Sequence, residues 1–89
     1  MVHKNITVKG IVQGVGFRFS AQRTAKIYGI KGYVKNLPDG HVYIEAEGEA
    51  DRVKDFIAWC WEGPSHAYVT DVNIENGEIR DYKYFDIKY

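Results

Sequence analysis

Eighty-nine residues are too few for two independent cores, so the chain is expected to form one domain over residues 1–89. An apolar content of 45%, with seven Tyr and four Phe, excludes a disordered chain. Twelve basic and twelve acidic side chains cancel, so there is no global field to hold nucleic acid or an anionic membrane, and any anion site must be built locally. Cys60 is the only cysteine, which excludes an intrachain disulfide and fits a reducing compartment. Met1-Val2-His3-Lys4-Asn5 leads straight into a strand pattern with no leader-like segment, and no apolar run approaches the ~20 residues of a membrane span. The expected location is cytoplasmic.

From Asn5 to Val12 the residues alternate, with Ile6, Val8, Gly10 and Val12 on one face, the pattern of a half-buried strand. A glycine-rich turn follows. Phe17, Ala21, Ala25 and Tyr28 then recur at helical spacing, and Gly29 supplies the stop. Ile30 to Asn36 reads as a second strand with Ile30, Gly32 and Val34 inward. Leu37-Pro38-Asp39-Gly40 is turn chemistry, and Val42, Ile44 and Ala46 alternate with His41, Tyr43, Glu45 and Glu47 in a third strand. From about Glu49 the period returns to helical, with Val53, Phe56, Ile57 and Cys60 on one stripe and Gly63-Pro64 ending it. Trp59 and Trp61 flank that stripe and are expected to cover helix–sheet edges. A fourth strand runs from about Tyr68 to Glu75, Asn76-Gly77 turns the chain, and a short fifth strand holds Phe85, Ile87 and Tyr89. Strand, helix, strand, strand, helix, strand is the order of an α+β, ferredoxin-like βαββαβ plait. Its antiparallel sheet would carry both helices on one face, with a short extra C-terminal strand. The other face stays open, with Tyr33 and Tyr43 on it.

The turn Gly10-Ile11-Val12-Gln13-Gly14-Val15-Gly16-Phe17-Arg18 is the stretch with chemistry in it. Glycine accepts φ > 0 at little cost, so successive N–H groups can turn toward one point. Such a concavity binds anions, and a helix start beyond it adds its own free N–H groups and positive dipole end. Arg18 stands at that helix start, where a guanidinium can fork onto two phosphate oxygens. The spacing is neither Gly-x-Gly-x-x-Gly nor a P-loop. Taken alone, the turn remains open between an anion cradle and a tight connection without a ligand.

A second stretch, Gly32-Tyr33-Val34-Lys35-Asn36-Leu37-Pro38-Asp39-Gly40-His41-Val42 running on to Gly48, completes a pair. Together the two stretches resemble the signatures of the acylphosphatase family. The first signature, Gly-x-Val-Gln-Gly-Val-x-Phe-Arg, is matched at every fixed position from Gly10 to Arg18. In the second, Gly32, Tyr33, Val34, Lys35, Asn36, Gly40, Val42 and Gly48 fill the required places. Gly63-Pro64-x-x-Ala67 and Phe85-x-Ile87-x-Tyr89 extend the resemblance over nearly the whole chain. It implies the ferredoxin-like fold and a metal-independent hydrolase that cleaves acyl phosphates to carboxylate and inorganic phosphate, without a cofactor. It also implies that the loop Gln13, Gly14, Val15, Gly16, Phe17 and Arg18 binds the substrate phosphate, that Arg18 is indispensable, and that Asn36 orients the attacking water. Leu37 stands where some family members carry a hydroxyl residue.

The residues fit those roles. Phosphoryl transfer is mainly positioning and electrostatic stabilisation, which N–H donors and a guanidinium supply without a metal. An amide can hold a water without being a base. The plainer alternatives are a surface arginine for Arg18, a turn asparagine for Asn36 and a solvated strand residue for Lys35. His3, His41 and His66 have no metal-ligand spacing with one another or with Cys60, and Cys60 falls on the core stripe. Ser20 is close enough to Arg18 to touch a bound anion. Two rival readings remain. The small N-terminal domain of hydrogenase-maturation carbamoyltransferases carries nearly the same loop, with proline typical where Phe19 stands. A single-strand RNA binder would use the same plait, and Lys31-Gly32-Tyr33 echoes its aromatic motif, although zero net charge opposes that use. The expected partners are an acyl phosphate and inorganic phosphate, with neither nucleic acid nor membrane, and the expected state is a monomer.

Overall fold

The computed structural model describes residues 1–89. The elements run β1 Val2–Ile11, α1 Phe17–Tyr28, β2 Lys31–Asn36, β3 Val42–Gly48, α2 Ala50–Glu62, β4 Tyr68–Asn76 and β5 Phe85–Lys88. They form one five-stranded sheet in the order β4-β1-β3-β2-β5. The pairs β1/β3, β1/β4 and β2/β3 are antiparallel, while β5 adds to β2 in parallel. The plait is as the sequence patterns require, and the fifth strand makes the sheet mixed.

Both helices lie on one face, α1 over β2 and β5 and α2 over β4, β1 and β3. Ile6, Val8, Val34, Val42, Ile44, Val72 and Phe85 meet Phe17, Ala21, Ala25, Val53, Phe56 and Cys60 there, all buried. Each large side chain of this layer contributes about 2 kcal/mol of burial. Ala21 and Ala25 put small side chains on the stripe of α1, which lets the helix sit close to the sheet. Trp59 packs on the rings of Phe17 and Phe56 at 5.2 and 5.9 Å. Trp61 does not cover an edge: it lies about 100° around the helix from the buried Cys60 and is 49% exposed.

The strand directions have a consequence for function. β1, β2 and β5 run the same way, so their C-terminal ends arrive together at one end of the sheet, where α1 also begins. Call this the distal end. At the opposite, proximal end the connection from β4 to β5, residues 77–84, has to pass from one sheet edge to the other. It passes over the helix-free face, a crossing that no periodicity in the sequence announces.

Glu47 holds that crossing down. Its buried carboxylate accepts the backbone N–H of Arg80 at 2.7 Å and of Tyr82 at 3.1 Å, and it faces His3 Nδ1 at 2.8 Å. His3 Nε2 meets Glu45 Oε1 at 3.0 Å and Asn5 Oδ1 at 3.1 Å. Glu45 also accepts the hydroxyls of Tyr33, Tyr43 and Tyr82. Burial alone would push the Glu47 carboxyl up, but the Arg80 N–H, His3 and the Tyr82 N–H outweigh it and hold the group below the usual glutamate range. Glu45 is likewise held low, its burial outweighed by the Tyr82, Tyr33 and Tyr43 hydroxyls and by His3. Burial and then the hydrogen bond to Glu45 push Tyr43 and Tyr82 up to about 12 and Tyr33 further still. Tyr33 and Tyr43 thus occupy the expected face, but that face is partly roofed and chemically saturated.

Candidate functional site

At the distal end the chain leaves β1 through Val12 and turns into α1. Gly14 and Gly16 both adopt the left-handed conformation, with φ of 74° and 77°. A Cβ at either position would meet nothing within 4 Å, so it is the backbone angle and not lack of room that requires glycine here. Gly16 is the N-cap of α1, which has no side-chain cap and no acidic residue in its first turn. The first helical N–H with a backbone acceptor is Ser20, on Gly16 O at 3.0 Å. The N–H groups from Gly14 to Phe19 have none.

Arg18 therefore stands where a cation is least welcome, beside the positive end of α1 with no acidic partner nearby. The sum is a local positive field in a protein of zero net charge. The guanidinium is held in place by neutral groups: Nη1 donates to Lys88 O at 3.2 Å, and the plane lies over the Tyr89 ring, 4.6 Å from its centroid. β5 thus orients Arg18 without neutralising it, and most of its donors stay available.

Asn36 is the last residue of β2, paired with Val42 across the hairpin. Gln13 fixes the distance between that hairpin and the glycine turn. Its amide donates to Leu37 O at 2.7 Å and to His41 O at 2.8 Å. Asn36, by contrast, makes no side-chain hydrogen bond within the protein.

Between these parts lies a cavity of about 210 Å³ lined by Val12, Gly14, Gly16, Phe17, Arg18, Phe19, Asn36, Ile87 and Tyr89. It brings together five of the residues singled out from the sequence: Gly14, Gly16, Phe17, Arg18 and Asn36. Gln13 and Val15 do not line it. The Gln13 side chain is spent on the hairpin, and Val15 packs against the core. Ser20 also stays out of the lining. Sequence reasoning missed Phe19, Ile87 and Tyr89 as site residues. Strand alternation and the terminal Phe85-x-Ile87-x-Tyr89 pattern marked Ile87 and Tyr89 without giving them a place at the site, and Tyr89 reaches Arg18 from seventy-one positions away. Lys35 lies beside the Tyr33 and Tyr43 rings on the helix-free face, away from this cavity. Cys60 is fully buried, and burial pushes its thiol up, so it is packing and not a nucleophile.

The family model described as Acylphosphatase matches residues 4–87. A curated acylphosphatase of Archaeoglobus fulgidus is 47% identical over 89 residues, covering 100% of each chain. Among solved structures, acylphosphatase from Bacillus subtilis aligns with a TM-score of 0.97 at 36% identity, covering all of both chains. Full-length HypF, in its phosphate- and nucleotide-bound form, aligns with a TM-score of 0.88 at 34% identity. That alignment covers 99% of this chain and 12% of that one.

Proposed function

The chain belongs to the acylphosphatase family, whose activity is the hydrolysis of acyl phosphates, and from that premise we propose how its own residues divide the work. The phosphoryl oxygens sit against the free N–H groups of the turn from Gly14 to Arg18, and the Arg18 guanidinium takes two of them in its fork. Gln13 and Val15 contribute backbone and shape, with the Gln13 amide locking the turn to the hairpin. The Asn36 amide holds a water in line with phosphorus. The water oxygen bonds to phosphorus as the bond from phosphorus to the acyl oxygen breaks, and the carboxylate departs with that electron pair. The water's protons pass to phosphate oxygen and solvent. A carboxylate is a good leaving group, so no strong base is required, and Leu37 beside Asn36 leaves the amide as the water's side-chain contact. One observation carries this reading: Arg18, the glycine turn and Asn36 line the same cavity.

Hydrolysis of benzoyl phosphate by this chain with a chelator present tests it. Retained activity is the expected result, with inorganic phosphate inhibiting competitively through the same cradle. Activity lost in chelator and restored by Mg²⁺ would overturn the metal-free mechanism. The same reading treats residues 1–89 as one domain acting as a cytoplasmic monomer on a small molecule. It takes no nucleic acid as a ligand, a reading supported by the zero net charge, which offers a phosphate backbone no general attraction.

A further inference from the structure

Arg18 is oriented by β5, so whatever fixes β5 also fixes the guanidinium. β5 has only four residues and is an edge strand, with β2 as its one neighbour. The Gly32 N–H donates to Tyr84 O at 2.8 Å, so that carbonyl faces β2. Strand alternation turns the next carbonyl, Phe85 O, away from β2. At a sheet edge such a group is left to solvent or to another chain. Here the Gln22 side-chain amide takes it, donating at 2.9 Å. Gln22 lies off the buried stripe of Phe17, Ala21 and Ala25, one turn beyond Arg18 on the same side of α1. These two are the side chains of α1 that donate to β5, Gln22 at its first residue and Arg18 at its last.

The two donors are not equivalent. Arg18 has a phosphoryl group to receive, and its bond to Lys88 O is the longer, at 3.2 Å. Gln22 has no second duty, since it is absent from the cavity lining. The Phe85 ring packs on Phe56 at 5.9 Å, which sets the depth of β5 in the core. The Gln22 bond sets its position along the helix. Asn36 does not share this dependence, because β2 is also paired with β3 on its other side. Resting on the division of work proposed above, we infer that Gln22 is a positioning residue for the hydrolysis. By fastening Phe85 O to α1 it holds Lys88 O and Tyr89 against Arg18, and so aims the fork before substrate arrives. Without Gln22, β5 would be tied to α1 through the arginine it has to orient.

The test compares the wild type with Gln22→Met, which keeps the length and helix propensity of the side chain and removes the donor. Hydrolysis of benzoyl phosphate gives kcat, and competition by inorganic phosphate gives an inhibition constant. The variant should lose about tenfold in kcat and raise the inhibition constant about threefold, a milder misplacement than loss of the fork itself. A fall in kcat alone would put Gln22 on the side of the water and overturn the inference. Unchanged kinetics in the folded variant would overturn it as well. In an Arg18→Lys background, which has no fork to aim, Gln22→Met should cost less than about twofold more. The full loss repeated in that background would show an effect on the fold alone, and the positioning role would be gone. One measurement needs no variant. NMR relaxation at Arg18 Nε in the phosphate-free wild type should give an order parameter above about 0.6, below which a group counts as flexible. A mobile guanidinium would mean that nothing positions it in advance. Should the wild type fail to hydrolyse benzoyl phosphate, the hydrolytic reading itself falls. A Gln22→Met variant that matches an active wild type sinks only the role of Gln22.

Discussion

The two ends of one sheet treat charge in opposite ways. At the proximal end His3, Glu45 and Glu47 are drawn out of water, and their polar atoms have partners: backbone N–H groups, three tyrosine hydroxyls and each other. At the distal end Arg18, Asn36 and the N–H groups of the glycine turn are brought into one cavity with few protein partners. A saturated network of this kind specifies structure, because every group it buries already has its hydrogen bond. An unsaturated one, held open by rigid elements, is poised to receive its missing partner from outside. Titratable groups are dense at the first end and function is expected at the second, so clustering of charge alone points away from the proposed site.

The largest test of this contrast is Arg18→Lys, which keeps the charge and removes the planar fork. Turnover should fall by about a hundredfold or more, since small misplacements cost that much, and inhibition by phosphate should weaken. Stability should move by less than about 1 kcal/mol, as for other surface sites. A variant retaining more than about a tenth of the wild-type rate would reduce Arg18 to simple attraction. Asn36→Ala should lose roughly a hundredfold in kcat while the inhibition constant of phosphate stays put, separating the water from the phosphoryl group. Steady-state kinetics reads both quantities, and a near-normal kcat would remove Asn36 from the mechanism.

Glu47→Ala should show the reverse profile. It strands the N–H groups of Arg80 and Tyr82 under the crossing segment and should cost about 3 kcal/mol, measured as a lower urea midpoint. Turnover well below the melting temperature should change little. A variant as stable as the wild type would show that the crossing does not need its anchor. The smallest effect expected is in the pH dependence. Glu45 and Glu47 are held below the ordinary value in the folded state, so the unfolded chain binds more protons in acid. Their contribution is complete above the ordinary glutamate value of about 4.3 and is lost as pH falls through their lowered folded values. Glu47→Gln should flatten this acid limb in denaturation curves between about pH 2 and 6. An identical limb in the variant would place the acid-sensitive groups elsewhere.

How much of this was legible in the sequence divides along the same line. The distal end is written locally: glycines at positions that need φ > 0, an arginine in the first helical turn, an asparagine at a strand end. Short-range spacing suffices to read such features. The proximal end is written in pairs far apart, Glu47 with His3 at a separation of 44 residues and with Tyr82 at 35. Alternation put Glu45 and Glu47 on the helix-free face, where they are. It could not show that residues 77–84 would cover that face, because an irregular segment has no period to detect. β1 begins at Val2 and not at Asn5 for the same reason: His3 looks like a solvated residue until the carboxylates that receive it are known. The support of Arg18 by β5 was hidden likewise, since Lys88 and Tyr89 reach it only through the parallel pairing of β5 with β2.

That parallel pairing also decides how the protein tolerates being joined to something else. The chain starts at the proximal end of the sheet with β1 and finishes at the distal end with β5, about 20 Å away along the strands. A tag, linker or fused domain placed before Met1 emerges beside His3 and the crossing segment, remote from the cavity at the distal end. The same addition after Tyr89 emerges at the rim of the cavity and pulls on the residue that stacks with Arg18. For this chain, the choice of terminus for a fusion is a choice about the cavity that Arg18 and Asn36 line.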